Sequence, residues 1–529
     1  MLPFKRSTLF LLLLLAANAR AQSEFDTIGG TLLRRVAPNL LGTNIPVGQP
    51  EGNTGSGGAD AYQVTPSNVG QPVSLFTWIS ASGTTNTFPN PVGSPSGHAD
   101  QVASVFYGVG TGVAPQVAHV NNYDADYFYE HYISLGLPLP NSDRVVNQSF
   151  IFANTDGSHF STNDEQVIEG IYDDYAVQYG TLFVSGVGNG GGVFPPATSY
   201  NGIGVGVFPG SSSFGTTPNG RSKPDLVAPG GGVTSFSTPH VAGSAALLIQ
   251  AALEGDAGAD TNSASDNRTI KAVLLNGAVK MTDWTNGVTT PLDARYGAGM
   301  LNVFNSWNEL RGGKNPFIES TSVSIGNAHP PGASAGNVPV LTGWDLNSLA
   351  NADSSHDQIN HYYFNLPGSN SFTLTATLTW LRPHSSLLGA SSINDLNLFL
   401  YNVTSGQMLL SSTSAVDNVE HLYLPVLPPG RYDLQVEKNA EGQVTASETY
   451  GLAFDFFSVP LSATQSNASV VITWPLAPAG FELQSATNLG PSMMWTTVAT
   501  PATVNTNTSQ NVVIVPVTGG DQFFRLRRP

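Results

Sequence analysis

Between residues 40 and 310 the chain alternates short apolar runs with longer segments in which apolar positions recur every three or four residues. The runs at 45–48, 144–150, 181–187 and 202–207 have the length and β-branched content of buried strands, and each leads into a Gly, Asn or Ser-rich turn. Residues 164–179 place Val167, Ile171 and Tyr175 four apart, which predicts a helix, as does the segment 268–281. Residues 238–253 are apolar nearly all round, the pattern of a helix buried in a large core. Strands alternating with helices predict an α/β domain: a mostly parallel sheet with helices on both faces and ligand-binding turns at the carboxyl ends of its strands.

Past residue 313 the period shortens to two. Segments 371–380 (SFTLTATLTW), 395–402 and 431–438 alternate apolar and polar residues between Gly, Pro and Asn turns, which predicts an antiparallel sandwich. A second break near Pro460 precedes the strand-like runs 470–475, 480–486 and 522–529. The expected organisation is a leader at 1–21, an α/β domain at 22–313, a jelly-roll-like β-sandwich at 314–460 and a small all-β module of immunoglobulin or fibronectin type at 461–529. A chain of 529 residues, about three times a ~150-residue domain, accommodates that division.

The leader reads as a signal peptide: Lys5 and Arg6 precede an apolar run from Leu9 to Ala17, and Ala19-Arg20-Ala21 offers a small-x-small cleavage site. Its run is too short to cross ~30 Å of hydrocarbon, and no later stretch reaches ~18 apolar residues, so the expectation is a secreted chain with no membrane span. With 37 acidic against 20 basic residues the net charge is −17, which excludes a nucleic-acid-binding surface as the main function. There is no cysteine, hence no disulfide, thiol nucleophile or Cys-based zinc site. Asp124, Asp126 and Glu130 cluster without the spacing of a calcium loop, so no metal site is assigned and a structural calcium ion is left open.

The segment carrying chemistry is SKPDLVAPGGGVTSFSTPHVAG (222–243). A Gly-rich turn delivers Thr234-Ser235 to the start of the apolar helix, and Pro239 suits a first helical turn. At a helix N-terminus, unpaired amides and the positive dipole end favour negative charge on a bound oxygen, the environment a nucleophilic serine needs. This segment resembles the serine motif of the subtilisin-like serine peptidases. The resemblance implies Ser235 as nucleophile and extends, in order, from about 45 to 305. SGHADQVASVFYG (96–108) is similar to the family's histidine helix and implies His98 as base. GVGNGGG (186–192) is similar to its oxyanion turn and implies Asn189 as donor, supported by Thr234. GVAPQVAHV (112–120), RVVNQSF (144–150), PPATSYNGIGVGVF (195–208) and RYGAGMLNV (295–303) match further framework segments. The edge Ser149, Phe150 and Ile151, with Gly188 opposite, is then expected to dock an extended polypeptide substrate.

Where the family has an aspartate at a strand end, IPVGQPEG (45–52) offers Glu51, with Asp60 in reserve. Val233 replaces a family glycine before Thr-Ser. The expected activity is that of a secreted serine endopeptidase working through an acyl-enzyme. The alternative is a catalytically impaired subtilase scaffold used for binding or adhesion, with a polymer or cell-surface ligand for the β modules.

Overall fold

The computed structural model describes residues 23–52, 60–134, 139–209, 212–318, 336–351, 358–383, 393–439, 444–466, 468–488, 494–517 and 522–527; the expected leader lies outside them. Because the apolar runs keep carboxylates to their carboxyl ends, they pair side by side in a buried sheet. Eight strands form it: β1 (Pro46–Glu51), β2 (Phe76–Ser80), β3 (Gly83–Thr85), β4 (His119–Asp124), β5 (Val145–Gln148), β6 (Leu182–Gly186), β7 (Ile203–Val207) and β8 (Leu226–Ala228). Their order is β8-β7-β6-β5-β1-β4-β2-β3, parallel throughout apart from the β2–β3 hairpin. β4 and β5 flank β1 on opposite sides, so the chain leaves the sheet in diverging directions there. A crevice at the carboxyl ends of β1 and β5 is the consequence, and it is where such sheets bind ligands.

The two-residue period sorts the sheet's side chains to two cores. Val145, Leu182 and Val184 join the core that also holds Val241, Ala245 and Leu248, whereas Val146 and Phe183 pack with Ile168, Ile171, Tyr172 and Tyr175. Helix α1 (Gly97–Phe106) and helix α3 (Thr234–Leu253) therefore cover one face and α2 (Thr162–Tyr179) the other. Helices on both faces of a parallel sheet are as the periodicity predicts. Two boundaries differ. The helix expected at 268–281 ends at Asn276 (α4, Asn267–Asn276), because Gly277 caps it and Val279 turns into a bridge with Met300. The buried helix begins four residues early, at Thr234, which puts Ser235 in its first turn and Pro239 inside it rather than at its start. Proline has no N–H to give the Ser235 carbonyl. The Ser149 hydroxyl donates to that carbonyl instead, at 2.8 Å, and so locks the helix start to the end of β5.

The alternating segments beyond residue 340 form two four-stranded antiparallel sheets: Thr342–Ala350, Ser447–Phe457, Phe372–Trp380 and Val419–Leu427 in one, and Ile359–Leu366, Gly430–Lys438, Leu396–Asn402 and Met408–Ser412 in the other. Leu374, Leu378, Leu398, Leu434 and Phe454 fill the space between them. This sandwich docks on α4, where Asn276 Oδ1 accepts from the hydroxyls of Thr375 (3.0 Å) and Thr377 (2.9 Å). Trp380 and Trp474 are buried, and the Trp495 ring is covered by the Arg525 guanidinium at 4.5 Å, so none of the three forms an open aromatic platform. Among the described residues no helix is long and apolar enough to cross a membrane.

Beside α2, Arg221 and Glu169 form a fully buried ion pair at 2.9 Å, with the guanidinium stacked 3.6 Å from the Tyr200 ring centre. Removing one buried partner strands the other's charge. Arg221→Met should cost about 3–5 kcal/mol in denaturant unfolding, and adding Glu169→Met should recover most of it; equal stability of the single variant and the parent would contradict this.

Candidate active site

Glu51 ends β1 with its side chain 1% exposed. Gln49, two residues earlier on the same face of the strand, donates from Nε2 to Glu51 Oε1 at 2.8 Å, and its own oxygen accepts from Tyr107 OH at 2.5 Å. The free oxygen, Oε2, lies 2.8 Å from His98 Nδ1. His98 stands in the first turn of α1 because Ser96 caps that helix, its hydroxyl accepting from the Ala99 amide. Of the two carboxylates open to choice, Glu51 is at the ring. Asp60 is held in a left-handed turn (φ 62°), and its carbonyl receives the amides of Tyr62 and Ser94.

Burial of the His98 ring opposes its charged form, but the hydrogen bond and the charge of Glu51 outweigh that, holding the imidazole above its ordinary value. With Nδ1–H donated to the carboxylate, Nε2 of the neutral ring is the accepting nitrogen. The ring lies beside Phe236, centroids 6.1 Å apart, which puts it next to the turn bearing Ser235. The Ser235 hydroxyl itself donates to the Ser149 carbonyl at 3.4 Å, and among the described residues no hydrogen bond joins it to His98. Such contacts are often long until substrate draws the groups together.

The turn after β6 completes the constellation. Asn189 Oδ1 accepts from Thr234 N at 2.8 Å and from Thr234 Oγ1 at 3.0 Å. With its oxygen taken twice, the carboxamide has Nδ2 left as donor, on an exposed side chain beside the Ser235 amide. That amide is one of the helix N-terminal donors and has no acceptor among the described residues. Gly188, at φ 106°, makes the approach possible, since a Cβ there would fall 2.8 Å from Ser213 Oγ. Ser149, expected to line the groove, instead spends its hydroxyl on the Ser235 carbonyl; Phe150 is half-buried and Ile151 exposed at the crevice. Asn189→Ala should lower kcat about 10²- to 10³-fold with little change in KM, read by steady-state kinetics on a peptide substrate; an unchanged kcat would exclude the side chain from oxyanion binding.

Sequence reading missed the support of Glu51 by Gln49 and Tyr107. The two-residue spacing of Gln49 and Glu51 was the available signal, since alternate residues of a strand share a face.

A carboxylate–imidazole pair at the switch point of a parallel α/β sheet, facing a serine in the first turn of the buried helix, defines a subtilisin-like serine peptidase domain. Residues 77–299 match the model of the subtilase family, Peptidase_S8, and this part of the chain is a subtilase domain. His98, Asn189 and Ser235 lie inside the matched segment and Glu51 before it. Pyrolysin of Pyrococcus furiosus is 29% identical over 210 residues, 36% of this chain and 14% of pyrolysin, so the chain spans a small part of that relative's length. Solved structures with some likeness include the M60 catalytic domain with two CBM51 domains of Clostridium perfringens ZmpB (9% identical, 34% of this chain and 21% of that one, TM-score 0.16). Another is a GH2 β-galacturonidase of Eisenbergiella tayi (9% identical, 35% of each chain, TM-score 0.14). Scores this low carry no argument.

Proposed function

We propose that this protein is a secreted serine endopeptidase that hydrolyses peptide bonds through an acyl-enzyme. The observation that carries the reading is the buried Glu51–His98 pair at 2.8 Å, set beside a serine whose helix terminus and Asn189 supply two unused donors. An extended polypeptide lies along Ser149–Ile151 with its scissile carbonyl over Ser235. His98 Nε2 takes the Ser235 proton as Oγ bonds to the carbonyl carbon. The resulting oxyanion is held by Asn189 Nδ2 and the Ser235 N–H. His98 then passes its proton to the amide nitrogen, the C–N bond breaks, and the amine leaves. Water, deprotonated by the same nitrogen, attacks the ester and frees Ser235. Glu51 keeps the ring in the required tautomer and stabilises the imidazolium. Secretion rests on the leader at 1–21.

Purified mature chain should degrade an unstructured protein such as casein, and His98→Ala should lose that turnover by at least about 10³-fold. No turnover by the parent, or equal turnover by the variant, would favour the alternative of an inert binding scaffold.

A further inference from the structure

A second imidazole–carboxylate pair, unused by the scheme above, lies beside the turn that bears Asn189. His159 Nδ1 is 2.7 Å from Glu165 Oε1, and Glu165 is 2% exposed with its other oxygen, Oε2, buried and unpartnered among the described residues. The His159 ring lies flat on Phe194, centroids 3.9 Å apart and planes 10° apart. Phe194 in turn abuts Gly188, where a Cβ would fall 3.1 Å from its ring, and its amide donates to the Val187 carbonyl. On the opposite side the Phe152 amide donates to the Pro195 carbonyl at 2.8 Å, and Asn154 Nδ2 donates to the His159 carbonyl at 2.7 Å. The two walls of the substrate crevice, 149–151 and 188–190, thus converge on Phe194 and His159.

The free nitrogen of this imidazole is open to a ligand. His159 is 36% exposed, and among the described residues Nε2 has no hydrogen-bond partner. It runs past Gly192, where a Cβ would come within 2.8 Å of Nε2; the bare glycine leaves that space clear. Neither wall, residues 148–155 and 186–197, carries a charged side chain. The charged groups on the elements around the ring are Glu165 and Asp164 on α2 and Asp156 on its own loop, the last bound by the Ser158 amide and hydroxyl.

We propose that His159, held by Glu165, is a specificity-determining residue that receives a substrate carboxylate, so that this peptidase prefers Glu or Asp on the acyl side of the scissile bond. The inference rests on the peptidase reading and deepens it. Glu165 accepts from Nδ1–H, and once Nε2 is also protonated the ring donates a charge-assisted hydrogen bond into the crevice. A lysine or arginine side chain would meet only donors there. A bulky apolar one would meet the polar ring edge beyond Phe150.

Ser235→Ala protein, which binds peptides without turning them over, separates the two levels. It is titrated calorimetrically with peptides identical except for Glu, Gln, Leu, Lys or Ala at the residue donating the scissile carbonyl. Glu should bind at least tenfold tighter than Gln at pH 6, and the ratio should fall towards one at pH 8.5 as the ring loses its second proton. His159→Gln, added to Ser235→Ala, should bring the ratio to one at both values while leaving the Ala peptide's affinity unchanged, and Glu165→Gln should reduce it. The pH comparison within one protein keeps the test decisive if a variant misfolds. Equal binding of Glu and Gln at pH 6, or a preference surviving His159→Gln, overturns the proposal. Failure of the parent to cleave anything while the Glu preference holds in binding counts against the peptidase reading alone.

Discussion

Ser235→Ala is expected to lower kcat by about 10⁶-fold, the order of loss when a subtilisin is deprived of its serine, while peptide binding stays close to the parent's. The substitution removes one oxygen from the first turn of α3 and little else. The contacts that set this turn run through the Thr234 amide and hydroxyl to Asn189 and through the Ser235 carbonyl to Ser149, and all survive the change. Stability should therefore move by less than about 0.5 kcal/mol, as for a substitution that touches no buried partner. Kinetics on a peptide amide with a parallel thermal melt reads both. A variant that keeps more than a hundredth of the parent's kcat would place the nucleophile elsewhere.

Glu51→Gln should cost about 10⁴-fold in kcat, because an amide can present its N–H to Nδ1 and so favour the tautomer that cannot take the Ser235 proton. The pH profile adds a sign. In the parent, Glu51 holds His98 above its ordinary value against the effect of burial, so kcat/KM should rise with pH as the raised group loses its proton and should fall below it. Without the carboxylate, burial acts unopposed and lowers the value, so the acid limb of the residual activity should move to lower pH even as its plateau drops. Glu51→Asp keeps the charge but draws it back by about 1 Å, a displacement that can cost about 10²-fold. A Gln variant with parental rate and an unmoved acid limb would mean that Glu51 does not serve His98.

The parts legible in the sequence are those governed by local chemistry. The two-residue and 3.6-residue periods locate β5, β6, β7, α2 and the sandwich strands, since which side faces a core is written into side-chain alternation. The start of α3 is not legible in this way, because proline's preference for a first helical turn describes Pro239 without its surroundings. Only the fold brings Ser149, 86 residues away, to the carbonyl that this proline leaves bare. The same holds for the choice between Glu51 and Asp60. Both lie near the end of β1 in sequence, and the decision rests on Gln49 and Tyr107, which aim one carboxylate at His98. His159 lacks any motif, because its partner Glu165 and its stacking surface Phe194 converge only when α2 and the turn after β6 pack together.

Whether Ser235 is an activated nucleophile is read directly by a fluorophosphonate probe, since the attacking oxygen forms a bond to phosphorus as fluoride leaves. Labelling of the parent should be confined to the peptide containing Ser235, absent in Ser235→Ala and strongly slowed in His98→Ala. Equal labelling of parent and Ser235→Ala, or an adduct mapped to another residue, would contradict the account.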